Sequence, residues 1–159
     1  MGRLNEERFS STSVERETPQ ALFDKLNNEF HFTLDPCATL ENTKCSKYYT
    51  KEQDGLKQDW SGDIVYCNPP YGKEMTKWIK KSIEESKKGA ICVVLIPART
   101  NTNWWHDLCM KATEIRFLRG RPKFGNMKHG LPFPLALLIF SSHTQELKIG
   151  TFDVRCLDP

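Results

Sequence analysis

Long apolar runs are missing from these 159 residues. The two longest, Ile91–Ile96 and Leu135–Phe140, are far too short to cross a bilayer. The opening residues MGRLNEERFS contain no apolar signal core, so nothing points to secretion. Six cysteines are present without a Cys-x-x-Cys pair, and the four histidines have no paired spacing. No metal site is expected from such a pattern, and reduced, structural cysteines in a cytoplasmic setting are. Internal repeats and low-complexity stretches are absent too. A large charge excess is also lacking. The net charge is only +3, so any polyanionic partner must be argued from where the charges lie.

What is there suffices for one globular domain: 38% hydrophobic and 27% charged residues over an ordinary domain length. Residues 1–17 are polar with mixed charge and read as a flexible arm, leaving 18–159 as a single domain. Thr18-Pro19 reads as a helix start, with Thr18 as N-cap and Pro19 at the first helical position. Leu22, Phe23, Leu26 and Phe30 continue it as an apolar stripe. Strand signals follow at 31–35, 44–50, Ile64–Cys67, Ile91–Ile96, 114–118, Leu135–Phe140 and 147–154. Between them, 73–88 reads as an amphipathic helix stopped by Gly89, and 104–112 as another helix. Alternating strands and helices, with some strands apolar on both faces, predict an α/β fold with a mainly parallel sheet flanked by helices.

The most distinctive local feature is Gly62–Gly72, where the strand Ile64–Cys67 runs straight into Asn68-Pro69-Pro70-Tyr71. Two consecutive prolines donate no N–H and fix φ, so both strand and helix must stop. The product is a rigid loop that presents an amide side chain, backbone carbonyls and one aromatic ring, which suits gripping a planar amine. A plain rigid turn with Tyr71 in the core is the alternative. In an open α/β sheet, ligands bind outside the carboxyl ends of the strands. Three loops fall at such ends: Asp35-Pro36-Cys37-Ala38, Asn68–Tyr71 and Pro97-Ala98-Arg99.

Asn68-Pro69-Pro70-Tyr71 resembles the catalytic motif of amino-group methyltransferases that use S-adenosylmethionine. The ordered set ETPQALFDKLNNEFHFTLDPCAT, KCSKYYTKEQDGLKQDW, DIVYCNPPYG and VVLIPARTNTNWWH is similar to the small phage-type DNA adenine-N6 methyltransferases, the Dam-like family. The resemblance implies a Rossmann-like fold, S-adenosylmethionine as methyl donor, double-stranded DNA as partner and a phage-encoded enzyme in the bacterial cytoplasm, with no membrane and no obligatory protein partner. It assigns catalysis to Asn68, Pro69, Pro70 and Tyr71. It assigns cofactor binding to Thr18, Pro19, Asp35, Pro36, Cys37, Ala38, Asn68 and either Asp54 or Asp59. The usual glycine-rich turn after the first strand is replaced by Asp-Pro-Cys-Ala-Thr-Leu-Glu-Asn, and Glu52 is the nearest acidic residue for the ribose hydroxyls.

The motif and the implied chemistry agree. Adenine's exocyclic amine is a poor nucleophile because its lone pair is delocalised into the ring. Asn68 and the Pro69 carbonyl can each accept one N–H, localising that pair, while Tyr71 stacks on a base rotated out of the duplex. The stretch RFLRGRPKFGNMKH adds Arg116, Arg119, Arg121, Lys123 and Lys128 without an acidic residue. It reads as a phosphate-contacting and target-reading loop, joined by Arg99 as a phosphate or substrate contact, with a merely solvated basic loop as the alternative. A glutamine amide or an RNA base offers the same planar NH₂, and an inactive DNA-binding relative is the rival from another class. A helix cap or turn residue is the alternative for Asp35; Trp60 suits the adenine pocket or the core equally, and Trp104 and Trp105 suit the core better than a cap over the cleft.

Overall fold

The β-branched run Ile91–Pro97 forms the centre of the molecule as strand β2, with six of its seven residues buried. The computed structural model describes residues 17–125, 128–143 and 146–157. Apart from Glu17, the expected N-terminal arm lies outside the described residues. Four further strands join β2: β1 (Ile64–Cys67), β3 (Glu114–Arg119), β4 (Leu135–Phe140) and β5 (Lys148–Asp153). They form one sheet in the order β1-β2-β4-β3-β5. β1 pairs parallel with β2, β4 pairs antiparallel with both β2 and β3, and β5 pairs parallel with β3. Four strands therefore point one way, and β4 alone is reversed.

Outside β1, the chain adds two single parallel bridges, Leu34 to Val65 and Asp35 to Tyr48. The strand signal at 31–35 thus shrinks to two isolated bridges, at Leu34 and Asp35, and that at 44–50 to one, at Tyr48. Pro36 explains the early stop, because it brings no N–H to continue a ladder.

The period-2 alternation of the strands divides the core into two. Val65, Cys67, Cys92, Val94 and Ile96 face one way and pack with Met75, Trp78 and Ile79 of helix α2 (Met75–Lys87). Tyr66, Val93, Leu95, Leu137 and Ile139 face the other way, onto Leu22, Phe23 and Leu26 of helix α1 (Gln20–Phe30). Helices therefore cover both faces. Gly89, at φ 104°, turns the chain after α2. The 104–112 helix is split into α3 (Asn103–Asp107) and a 3₁₀ turn, Cys109–Lys111.

One helix-start expectation needs correction. α1 begins at Gln20 with Pro19 in the capping position, and no side chain caps it. The Thr18 hydroxyl is engaged elsewhere, by Tyr66 and Asn68. All six cysteines are free, and burial pushes the Cys92 and Cys109 thiols up to about 12. No described helix is long and apolar enough to cross a membrane.

Candidate active site

Parallel strands deliver their carboxyl ends to one edge, so the loops after Asp35, after β1 and after β2 emerge side by side. The Tyr66 N–H donates to the Leu34 carbonyl at 3.0 Å, which fixes the first two as neighbours. Reversed β4 begins at this same edge, and the Ala98 N–H donates to the Pro134 carbonyl at 2.9 Å. Pro69 is buried, while Asn68, Pro70 and Tyr71 are half-buried.

The Asn68 amide is anchored from an unexpected side. Its Nδ2 donates to Thr18 Oγ1 at 3.1 Å, and Thr18 Oγ1 lies 2.5 Å from the Tyr66 hydroxyl. Thr18 is 3% exposed and Tyr66 1%. Burial holds the Tyr66 phenol well above its ordinary value, so it stays neutral and keeps its proton for hydrogen bonding. Around Thr18, the Gly125 N–H donates to the Glu17 carbonyl at 3.0 Å, and the Phe23 N–H to the Pro19 carbonyl at 3.1 Å.

Asp35 is 5% exposed, and its Oδ2 accepts the Lys44 N–H at 3.0 Å. Desolvation raises its carboxyl to about 6, against the lowering pull of the Lys44 and Cys37 backbone N–H groups. It thereby pins both ends of the 37–44 loop, with Pro36 and Ala38 buried and Cys37 half-buried beside it. The Lys44 ammonium reaches back to Glu17 at 3.2 Å and Gln20 at 2.9 Å.

The two alternative aspartates part company. Asp54 caps the 3₁₀ turn Gly55–Lys57 by accepting the Leu56 N–H, and Gly55 packs directly on the Pro36 carbonyl. Asp54 therefore adjoins the Asp35 loop. Asp59 is exposed and bonds the Ser61 N–H, with Lys88 and Lys81 as its neighbouring charges. It sits where β1 begins, and the structure does not bring it to the three loops. Glu52 is exposed on the 51–53 turn, and Trp60 is core, stacked near Trp78.

Tyr71 meets Phe133 edge to face at 6.1 Å, and the Arg99 guanidinium lies 5.1 Å over the same Phe133 ring. Beside this row hangs the segment between β3 and β4. Arg119, Arg121, Lys123 and Lys128 are all exposed on it. Phe124, 1% exposed, plugs into the α1 side of the core and holds it in place. Arg116 does not belong to this surface. It forks onto Glu29 at 2.8 and 2.6 Å and onto Glu114 at 2.9 Å. Among the described residues, no cluster of three or more His, Cys, Asp or Glu could hold a metal ion.

The profile of the family described as DNA N-6-adenine-methyltransferase (Dam) matches residues 11–141, most of the chain. The chain belongs to this family. Among curated Dam-family relatives, the "DNA N-6-adenine-methyltransferase" of Haemophilus phage HP1 is 32% identical over 64% of this chain and 60% of its own length. The protein of the same name from Escherichia phage T1 is 32% identical over 62% of this chain and 42% of its own. The "Putative methyltransferase YfdM" of Escherichia coli K12 is 38% identical over 34% of this chain and 67% of its own. The chain thus spans about half the length of the phage relatives it matches.

The Dam-family stretch contains Thr18, Asp35, Asn68–Tyr71, Arg99 and the basic segment. It also contains two residues that the sequence pattern did not single out. Tyr66 read as an ordinary strand aromatic, and nothing local paired it with Thr18, 48 positions earlier. Phe133 had a usable signal: an aromatic ring between Pro132 and Pro134, rigidly placed before a strand.

Proposed function

We propose that the protein transfers a methyl group from S-adenosylmethionine to N6 of adenine in double-stranded DNA. One observation carries the reading: the Asn68 amide, anchored through Nδ2, opens at the same edge as an exposed four-cation segment. Membership of the Dam family supports it, and the two phage relatives support a phage-encoded enzyme working in a bacterial cytoplasm.

The residues at this edge fit the methyl donor. Asp35 supplies a buried carboxylate that shapes a loop, Pro36 and Ala38 supply an apolar floor, and Asp54 lies alongside. Thr18, Pro19, Cys37 and Asn68 complete the candidate lining. S-adenosylmethionine, when bound, supplies an electrophilic methyl group on a sulfonium. The chain's own work is positioning. Asn68 Oδ1 and the Pro69 carbonyl accept the two N–H bonds of the adenine amine, and its lone pair is directed out of conjugation. Pro69 and Pro70 keep the loop rigid. Tyr71 stacks on the base, which leaves the duplex because its amine is otherwise paired. Asn68 is no base, so the proton leaves after transfer. Arg99, Arg119, Arg121, Lys123 and Lys128 hold the phosphates without reading sequence.

The test uses labelled S-adenosylmethionine with duplex DNA, RNA or protein as acceptor, followed by nucleoside analysis. Label in N6-methyladenine of DNA is expected, and Asn68→Ala is expected to abolish it while retaining cofactor binding. Label only in RNA or in glutamine would replace the substrate, and no label with any acceptor would leave a DNA-binding protein.

A further inference from the structure

We infer that Thr18 is a positioning residue for the reaction proposed above, orienting the Asn68 amide so that its oxygen end faces the acceptor amine. The inference rests on that reading of Asn68. An asparagine amide has two ends of nearly equal size and opposite polarity: Oδ1 only accepts and Nδ2 only donates. The torsion that exchanges them is broad and roughly two-fold, so the side chain alone does not choose. An amide turned the wrong way would present N–H to N–H, and the grip on the acceptor would become a repulsion.

The structure contains the device that breaks this symmetry. Nδ2 donates to Thr18 Oγ1 at 3.1 Å, which directs Oδ1 to the opposite side. Behind Thr18, the Tyr66 hydroxyl at 2.5 Å occupies another hydrogen-bonding direction of Oγ1. Both hydroxyls are buried, so each must answer the other; with the Thr18 proton donated to the Tyr66 oxygen, only the Oγ1 lone pairs face Asn68, and these select Nδ2 over Oδ1. The hydroxyl is held from its backbone side as well. Glu17 is bonded to Gly125 at 3.0 Å, and Pro19 is bonded into the first turn of α1. This also accounts for a threonine ahead of a helix it does not cap.

The experiment compares Thr18→Val, Thr18→Ser, Tyr66→Phe and the double variant Thr18→Val/Tyr66→Phe in full-length protein. Readouts are thermal unfolding, cofactor and duplex Kd by titration, and kcat at saturating S-adenosylmethionine. Valine keeps the shape and removes the acceptor. The double variant also removes the phenol, so no buried hydroxyl is stranded and folding is preserved. Thr18→Val and the double variant are expected to lose kcat roughly 10- to 100-fold at saturating S-adenosylmethionine, with duplex Kd unchanged. Thr18→Ser recovers most of the rate, and Tyr66→Phe keeps more of it than Thr18→Val.

A folded double variant with wild-type kcat overturns the assignment. So does a defect that disappears at saturating cofactor, which would make Thr18 a cofactor contact only. Asn68→Ala in the same assay separates the two levels. Retained turnover there defeats the reading of Asn68 itself, whereas a dead Asn68→Ala beside a normal double variant defeats only Thr18.

Discussion

Asp35 offers a stability test whose sign runs against the usual behaviour of a carboxylate. Its side chain is buried at the end of a bridge and is raised from 3.8 to about 6, chiefly by desolvation. The native state therefore binds a proton that the unfolded chain has released between about pH 4 and pH 6. Stability from this group is fully present below about pH 4 and is lost as pH rises through about 6. A shift of roughly two units, at about 1.4 kcal/mol each, makes the swing about 3 kcal/mol. Carboxylates such as Glu29 and Asp153 are lowered and pull the other way, so the total curve is not diagnostic. The difference between wild type and Asp35→Asn is, because asparagine keeps the shape and abolishes the titration. Urea unfolding followed by circular dichroism, in steps from pH 4 to 7.5, gives that difference. It is expected to fall by up to about 3 kcal/mol across the range. A flat difference, or one that climbs with pH, refutes the argument.

Three further outcomes follow from the geometry. Replacing Gly55 by Ala puts a Cβ 2.1 Å from the Pro36 carbonyl oxygen, and thermal unfolding is expected to show a loss of roughly 1–3 kcal/mol. An unchanged melting temperature would mean that the Asp35 loop yields freely. Neutralising Arg119, Arg121 and Lys123 together weakens duplex binding and makes its salt dependence shallower, by about 0.9 in slope for each phosphate contact removed. Fluorescence anisotropy over a salt series reads this, and an unaltered slope takes the segment out of the interface. Arg116→Ala, by contrast, costs about 1–2 kcal/mol of stability through its lost carboxylate partners and leaves duplex affinity alone. A drop in affinity without a drop in stability would return Arg116 to the DNA surface.

Much of the architecture was legible where the chain punctuates itself. Ile64–Cys67 and Leu135–Phe140 were readable to the residue because prolines bound them at one end. The 73–88 helix was readable because Met75, Trp78 and Ile79 repeat at helical spacing before Gly89. The outer segments at Leu34 and Tyr48 looked like strands, yet periodicity reports apolar faces and not the number of ladder bonds an edge achieves. At the site, Asn68–Tyr71 announced itself through local stiffness. Thr18 was legible as a residue and illegible as a role, because local rules favoured a cap and a tertiary bond won. Asp54 and Asp59 looked alike in sequence. Only the course of the sheet separates one beside the Pro36 loop from one at the far end.

The single reversed strand has a consequence for how such a protein can be altered. β3 ends and β4 begins at the edge where the Asn68–Tyr71 loop opens, so the chain leaves and re-enters the sheet on one side. The length of the intervening segment is not tied to the spacing of any other loop, and closing a segment twice as long costs only about 0.6 kcal/mol. This basic segment can therefore be lengthened, shortened or exchanged like a fitting on a fixed mount. Phe124 and Leu131 in the core and the Gly125–Glu17 bond are fasteners any replacement would have to reproduce.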